Sequence, residues 1–441
     1  MPEAVALRLI DLREIGFSDE QVNHLVPRAS IDISAALDSV RPLIQDIEDR
    51  GLQALVDVTV ARDGVDPRPI LVSQEEIRRA MAELTPTLRL AIEESISRVR
   101  AVSEANLPKP TSVRLAAGAV VRQRWQPVDS VGLYVPGGKA VYPSSVIMNV
   151  VPAQVAGVKR MAIASPAQKD FNGRPHPTVL ATAGILGVAE VYSMGGPAAI
   201  ASFAFGLSEA NLKPVQLVTG PGNIYVTAAK RALRGKIGID SEAGTTEILI
   251  IADSSANARL IAFDLVSQAE HDEAAASVLV TDSIELANAV INELPEIVDK
   301  TLHCDRVLTA LAGQQSAVVV VSSIDEAIRF ANEYATEHLE IHTVNNEAAL
   351  DSISNAGAIF LGEYSPVSLG DYLAGSSHVL PTGQQAKFGS GLGVHSFLRA
   401  QQVIDYSREG LEPLKDMVAD FANSEGLPAH GEAITARFDL N

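Results

Sequence analysis

The sequence predicts an α/β fold with two similar lobes and helical segments at both ends. The chain has 441 residues, of which 47% are apolar and 20% are charged, and this composition is typical of a globular protein with a substantial core. The length corresponds to two to three domains of roughly 150 residues each. From about Val158 onward, short β-branched runs alternate with helical patterns, which is typical of βαβ units in a parallel sheet covered on both faces.

Eight short runs are predicted as the strands of these lobes. Each run is nearly continuous in apolar residues, and most precede a stretch with helical spacing. Eight units are too many for one βαβαβ half, and a seam is expected near 241–246, where Gly-Thr-Thr interrupts the pattern. The runs are Met161–Ala164, Glu190–Ser193, Val215–Thr219, Glu247–Ala252, Ser277–Thr281, Ala317–Ser322, Leu339–Val344 and Ala358–Leu361.

The two ends of the chain are expected to be helical. Apolar residues recur with helical spacing from Ile77 to Leu84 and again from Leu88 to Val102, so the first hundred residues are predicted to be mostly helix. The residues after Gly393 are predicted to form a helical appendage that ends in a polar tail.

Charge and cysteine content restrict the function classes. The net charge of −19 disfavours nucleic acid and anionic membranes as partners. The single cysteine, Cys304, excludes an intrachain disulfide and a zinc site of several thiolates, and it is typical of a reducing compartment. The first twenty residues show no signal-peptide pattern. We therefore expect a cytoplasmic protein without a membrane partner.

Two glycine-rich segments follow predicted strands, but neither completes the G-x-G-x-x-G pattern that marks a dinucleotide site. Gly220–Asn223 opens a predicted helix from Ile224 to Leu233, and Tyr225 stands where the third glycine would be. Gly137-Gly138-Lys139 is a second loop of this kind. An anion site at a helix N-terminus and an ordinary turn both remain open, and the turn is favoured. The lobes are thus predicted as Rossmann-like with incomplete dinucleotide-binding motifs.

Basic residues cluster in and after the helix that follows Gly222. They are interpreted as cations that stabilise the C-terminal end of that helix. They are Lys230, Arg231, Arg234 and Lys236.

Histidines, carboxylates and an amide form two suggestive pairs. Gln268 and His271 are three residues apart near a predicted helix end and would share a face, although a simple surface pair is the commoner outcome. Glu337 and His338 are adjacent at a helix-to-strand junction, where their side chains diverge. Two separate catalytic roles and a polar loop are equally compatible with this second pair.

Asp371 and His430 lie in loop-rich and C-terminal stretches. Combined with Gln268 and His271, they would give a metal two nitrogen and two oxygen ligands. This set suits Zn²⁺ with open positions, and it also suits Mn²⁺ or Co²⁺.

Eight segments, in order along nearly the full chain, resemble the histidinol dehydrogenase family. The resemblance implies oxidation of L-histidinol to L-histidinal and then to L-histidine, with reduction of two NAD at one site. It also implies a homodimer of intertwined subunits with shared active sites and one zinc per subunit. The segments are Val131–Gly138, Tyr142–Ser145, Thr219–Asn223, Ser267–Asp272, Glu337–Leu339, Gly370–Tyr372, His378–Thr382 and Ala429–Glu432.

The resemblance also implies roles for individual residues. His338 matches the general base, and Glu337 matches the residue that activates water on the aldehyde. Tyr134 and Asn223 match NAD-contacting positions. The implied zinc ligands are Gln268, His271, Asp371 and His430. The implied substrate contacts are Thr246, Gln268, His271, His338, Asp371, His378, Glu425 and His430.

Four parts of the chain are expected on this basis. Residues 1–28 would be an N-terminal dimerisation segment, and 29–133 with 246–392 a discontinuous first α/β lobe. Residues 134–245 would form the second lobe on the NAD side. Residues 393–441 would reach the partner subunit, so that Glu425 and His430 complete the partner's site.

Three positions depart from the family pattern. Ala198 stands where glutamine is common, Ser377 where asparagine is common, and Thr246 where serine is common, which keeps the hydroxyl. Three alternatives therefore stay open: a paralogue that oxidises another small alcohol, a metal-assisted hydrolase, and a catalytically silent homologue. Cys304 lies outside every matched segment, so water activated by Glu337, and not a thiol, is the expected nucleophile.

Overall fold

The computed structural model describes residues 5–29, 33–137, 141–242 and 244–439. Its fourteen strands within these ranges form two parallel sheets and one antiparallel sheet. The strands are β1 (Arg8–Asp11), β2 (Thr111–Ala116), β3 (Ala119–Pro127), β4 (Ser130–Tyr134), β5 (Arg160–Ser165), β6 (Glu190–Ser193), β7 (Leu217–Thr219), β8 (Gly238–Ile239), β9 (Glu247–Ala252), β10 (Ala276–Thr281), β11 (Ala317–Val320), β12 (His338–His342), β13 (Ala358–Leu361) and β14 (Leu398–Tyr406).

Helices cover both parallel sheets and form the ends of the chain. The α-helices of the described residues are α1 (Val22–Leu25), α2 (Ile33–Arg50), α3 (Leu52–Asp63), α4 (Gln74–Glu83), α5 (Pro86–Ala105), α6 (Pro143–Ala156), α7 (Pro177–Ile185), α8 (Gly196–Phe205), α9 (Ile224–Leu233), α10 (Ala258–Ala269), α11 (Ile284–Val298), α12 (Cys304–Ala312), α13 (Ile324–Tyr334), α14 (Asn346–Leu350), α15 (Val367–Tyr372), α16 (Arg408–Leu411), α17 (Lys415–Ser424) and α18 (Pro428–Asp439).

The larger sheet has six parallel strands in the order β1-β11-β10-β9-β12-β13. Its central strands β9 and β10 are buried along their whole length, as expected for a parallel sheet with helices on both faces. The smaller sheet has five parallel strands in the order β6-β5-β4-β7-β8. The predicted α/β class is confirmed, and all eight runs predicted as strands contain one.

Residues 33–105 pack on the smaller sheet's side of the molecule. Helix α2 contacts α8 and α9, α4 contacts α7, and α5 contacts α6. Ile77 and Ala80 of α4 belong to the same apolar core as Val179 and Leu180 of α7, which explains this attachment. The expected division grouped these residues with the other lobe, so the packing differs from that grouping.

The antiparallel sheet, ordered β14-β3-β2, was not expected. The prediction that the chain is only helical after Gly393 is wrong at β14, whose nine residues pair along the full length of β3. Because β14 is rich in polar residues and mostly exposed, it lacks the apolar alternation that marks a strand. The helices α16 to α18 follow it, as predicted for the end of the chain.

The first hundred residues are mostly helical, as predicted, but they also contribute β1 to an edge of the larger sheet. Within the described ranges, no helix combines the length and apolar character that a bilayer crossing requires.

Candidate active site

The candidate catalytic residues lie where strands β9 and β12 of the larger sheet begin. Glu337 directly precedes β12, His338 is its first residue, and Thr246 directly precedes β9. Helix α13 ends at Tyr334, and Ala335 adopts a left-handed conformation with φ of 50°. Few non-glycine residues adopt this conformation, and here it turns the chain sharply from the helix into the strand that carries both side chains.

Glu337 is a buried carboxyl group held by two donors. Its Oε2 accepts hydrogen bonds from the Thr246 hydroxyl at 2.6 Å and from the Glu247 backbone N–H at 3.0 Å. Burial raises the pKa of Glu337 to about 8, although both hydrogen bonds act to lower it. The carboxyl group can therefore gain or lose a proton near neutral pH.

His338 is oriented by the same neighbouring strand. Its Nδ1 lies 3.2 Å from the carbonyl oxygen of Glu247. Because a carbonyl only accepts, Nδ1 carries the proton and Nε2 is the basic nitrogen of the neutral ring. Burial lowers the pKa of His338, which favours the neutral ring. Nδ1 is 3.6 Å from Glu337 Oε2, so the two side chains are adjacent without forming a hydrogen bond.

Gln268 connects the end of helix α10 to this pair. Its Nε2 donates to the Thr246 hydroxyl oxygen at 2.7 Å, and that hydroxyl donates in turn to Glu337. The other amide atom, Oε1, is buried and has no hydrogen-bond partner among the described residues. A buried carbonyl oxygen without a partner costs free energy, so this atom is a ready ligand for a cation.

His271 and Asp371 are brought together as predicted. His271 Nε2 lies 3.8 Å from Asp371 Oδ2, which is too long for a hydrogen bond. Two ligands of one zinc ion, each at most about 2.2 Å from it, lie no more than about 4.4 Å apart. The separation and the donor types, together with the unpartnered oxygen of Gln268, therefore fit a shared divalent cation.

His378 occupies both of its ring nitrogens in holding this region. Nδ1 lies 3.0 Å from the Asp371 carbonyl oxygen and must donate to it, and Nε2 lies 3.1 Å from the Ser145 hydroxyl. Burial lowers the pKa of His378. Since Ser145 belongs to α6 of the smaller lobe, His378 connects the two lobes at the site. In this structure it positions the Asp371 segment.

The C-terminal residues predicted for the site lie elsewhere in this chain. His430 on α18 and Glu425 after α17 are exposed. Their helices pack on each other. Within the described part of the chain, no hydrogen bond or ion pair links either residue to Gln268, His271 or Asp371. One chain therefore assembles three of the four predicted metal ligands.

The predicted nucleotide-contacting residues lie at the carboxyl ends of strands in the smaller sheet, where α/β sheets usually bind ligands. Tyr134 ends β4, and its hydroxyl accepts the N–H of Gly196 at 3.0 Å. Asn223 caps α9 by accepting from the N–H groups of Tyr225 and Val226. Gly138 and Lys139 lie outside the described residues.

The turn before Asn223 requires glycine and is held by a buried ion pair. Gly220 has φ of +116°, and a Cβ there would lie 2.0 Å from the Tyr134 carbonyl oxygen. Lys230 donates to the Gly220 carbonyl and to Asp240, which accepts the Gly220 N–H at 2.8 Å. Lys230 is buried, so the interpretation of this lysine as a surface cation at a helix end is wrong.

Several residues near the site were missed by the sequence reasoning. Glu247 contacts both catalytic candidates through its backbone, and its buried side chain pairs with Arg28 at 2.5 Å. Asp264, Glu340 and His342 form a cluster whose ligand atoms lie within 4.8 Å of one another. A charged residue inside a buried strand, as at Glu247 and Glu340, is the one signal that could have identified them.

Two departures from the family pattern have simple positions. Ala198 is 3% exposed in the core beneath α8. Ser377 accepts the N–H of Val379 at 3.2 Å and so supports the turn that presents His378.

Comparison with known proteins identifies the family. The family model for histidinol dehydrogenase matches residues 26–438. The chain belongs to the histidinol dehydrogenase family. It is 54% identical to a histidinol dehydrogenase of Leifsonia xyli over 98% of this chain and 99% of that one. The value for the Corynebacterium glutamicum histidinol dehydrogenase is 50%, over 98% of each chain.

A solved structure supports the same assignment. The crystal structure of histidinol dehydrogenase from Elizabethkingia anophelis superposes with a TM-score of 0.92 at 29% identity, covering 99% of both chains. Membership in the histidinol dehydrogenase family makes this chain an oxidoreductase.

Proposed function

We propose that this enzyme oxidises L-histidinol through L-histidinal to L-histidine, with reduction of two NAD, in the final steps of histidine biosynthesis. The observation that carries the proposal is the network Gln268–Thr246–Glu337 beside His338. It places an unpartnered cation ligand, a carboxyl group that titrates near neutral pH and a basic imidazole within one buried site.

The metal that suits this site is one zinc per subunit. Gln268, His271 and Asp371 would hold it, and His430 would supply the fourth protein ligand from the partner subunit. When bound, zinc would bind the amine and an imidazole nitrogen of histidinol, while NAD would accept hydride. The substrate contacts that we propose are these ligands with Thr246, His338, His378 and Glu425.

His338 is the proposed general base of alcohol oxidation. Its Nδ1–H donates to the Glu247 carbonyl, so Nε2 is left to take the hydroxyl proton of histidinol as hydride leaves the carbon. Because burial lowers the pKa of His338, the ring is neutral and able to accept that proton at neutral pH.

Glu337 is the proposed base of aldehyde oxidation. Both of its hydrogen bonds go to Oε2, which leaves Oε1 to take a proton from water as the water oxygen attacks the aldehyde carbon. The resulting hydrate then loses hydride from the same carbon and a proton to the base, giving the carboxylic acid. Cys304 lies outside the site, on α12, and takes no part in this step.

The nucleotide site is proposed on the smaller lobe. Tyr134 and Asn223 would contact NAD at the carboxyl ends of β4 and β7, where Gly220 lets the backbone approach closely. The division into an NAD-side lobe (134–245), a discontinuous lobe (29–133 and 246–392) and terminal segments (1–28 and 393–441) stays part of this proposal.

The enzyme is proposed to be a homodimer with shared active sites. The C-terminal segment leaves large apolar side chains exposed, Met417 and Phe421 at 60% and 69%, and a second copy would cover such a surface. The same segment carries His430 and Glu425, which do not reach the site of their own chain. We further propose a cytoplasmic enzyme without nucleic-acid or membrane partners, in line with its net charge of −19.

The proposal is tested by assaying NADH formation with histidinol and histidinal, alongside zinc analysis of the purified enzyme. We expect two NADH per histidinol, one zinc per subunit and loss of turnover with a chelator that added zinc restores. Other amino alcohols and diols serve as control substrates. A kcat/KM for histidinol no higher than for these controls, or turnover without NAD, would contradict the proposal.

A further inference from the structure

A cluster of ionisable side chains is buried behind the candidate catalytic pair. Glu340 lies two residues after His338 on β12, so its side chain projects from the same face of the strand. It is fully buried, and it touches none of the groups assigned above to substrate, metal or nucleotide. A buried carboxylate needs hydrogen-bond donors to offset its lost hydration, so its partners show what it does.

The first partner of Glu340 is a helix N-terminus. Its Oε1 accepts the backbone N–H of Val367 at 2.7 Å, and Val367 is the first residue of α15. Asp371, a proposed zinc ligand, follows one turn later on this helix. An anion at a helix N-terminus is stabilised by the free N–H groups and the helix dipole. Glu340 therefore fixes α15 to β12.

The second partner is His342 on the same strand. Its Nε2 lies 3.2 Å from Glu340 Oε2. Because a carboxylate only accepts hydrogen bonds, Nε2 carries a proton and donates it. This contact fixes the orientation of the Glu340 carboxylate that receives the N–H of Val367.

The third partner is Asp264 on α10. A hydrogen bond joins the Asp264 and Glu340 carboxyl groups, and burial together with the Glu340 charge raises the pKa of Asp264 to about 8. At neutral pH Asp264 therefore holds the shared proton and donates it to Glu340. Asp264 is one turn before Gln268, which places both side chains on one face of α10.

We propose that Glu340 is a positioning residue that connects β12, α15 and α10 and thereby sets Asp371 and Gln268 relative to His338. The inference rests on the proposed function in one respect, the metal-binding role of Asp371 and Gln268. Three elements that carry the site converge on one carboxylate, which accepts one hydrogen bond from each of Val367, His342 and Asp264.

The informative pair of variants is Glu340→Gln and Asp264→Asn. An amide has a single acceptor oxygen and two N–H donors, so Gln at 340 cannot accept from all three partners, and at least one connection breaks. Asn at 264 still offers an N–H where the carboxylic acid offered its O–H, so it keeps the connection. The second variant is thus the matched control, with the same change of chemistry in the same cluster.

Two readouts besides turnover test the role. The first is zinc affinity, measured by competition with a chromogenic chelator, and the second is hydrogen exchange of the peptide that contains Val367. For Glu340→Gln we expect zinc affinity to fall about tenfold or more, as for loss of partners that orient metal ligands, with faster exchange in α15. For Asp264→Asn we expect both within about threefold of the parent protein.

Urea unfolding of each apoprotein separates positioning from general destabilisation. Unchanged zinc affinity and unchanged α15 exchange in Glu340→Gln would overturn the inference, and so would equal losses in both variants. Failure of the parent enzyme to bind zinc would instead contradict the proposed function. In that case the exchange of α15 still decides whether Glu340 holds the helix.

Discussion

Replacing Thr246 with valine removes one hydroxyl at nearly constant volume and tests the network that orients Glu337. The hydroxyl donates to the carboxylate at 2.6 Å and accepts from Gln268 at 2.7 Å. A hydrogen bond to a charged group is worth about 1.5–3 kcal/mol, and one pKa unit corresponds to roughly 1.4 kcal/mol. The pKa of Glu337, already raised to about 8, should therefore rise by a further one to two units.

The sign of the pH effect follows from which form of Glu337 the hydroxyl stabilises. The donor favours the carboxylate, so its loss favours the protonated acid, and the basic form appears only at higher pH. The acid limb of kcat/KM for histidinal oxidation should shift upward by about one to two pH units, with a drop of about 10- to 100-fold at pH 7. Alcohol oxidation, which uses His338, should show a smaller shift.

Thr246→Ser is the matched control because it keeps the hydroxyl, and its pH profile should stay close to that of the parent enzyme. Zinc content is measured in both variants, since Gln268 loses its partner in the valine variant. An acid limb for histidinal oxidation that moves by less than about 0.3 units in a zinc-loaded Thr246→Val enzyme would refute the reasoning about Glu337.

Three further predictions concern catalysis, the nucleotide turn and the shared site. Glu337→Gln should slow histidinal oxidation far more than histidinol oxidation, whereas His338→Ala should slow both; equal and small effects in single-turnover assays would contradict these roles. Lys230→Met leaves Asp240 as an unpaired buried charge and should weaken NAD binding about tenfold without loss of zinc, as measured by NADH fluorescence titration; unchanged NAD affinity argues against a role for the turn. His430→Ala and Glu337→Gln subunits, each inactive alone, should regain about a quarter of parent activity when mixed, because half of the dimers then contain one intact site; no recovery after verified subunit exchange would exclude a shared site.

Much of the fold was predictable because its strands are locally distinctive. The predicted bounds for β6, β9 and β13 match the structure, since a strand buried on both faces needs a continuous apolar run. Strand β14 was missed because its stability comes from main-chain pairing with β3 and not from apolar burial. Strand β1 was missed since four residues give little pattern.

The site was predictable only in its outline. Gln268, His271, Asp371, Glu337 and His338 were all selected from sequence, and the structure brings them together. Their roles remain predictions.

The supporting residues Arg28, Glu340 and Lys230 were not found as such. Each acts through partners that are distant in the sequence or in another element, and such pairings appear only when the chain is folded.

The first strand of the larger sheet is synthesised long before its partner. Arg8 of β1 pairs with Ala317 of β11, and at 5–20 residues per second the ribosome needs roughly 15 to 60 seconds to make the chain between them. All strands of the smaller sheet lie within residues 130–239, so that sheet can form during this interval. The amide groups of β1 meanwhile lack their sheet partner, which makes this segment the natural target for a chaperone during synthesis.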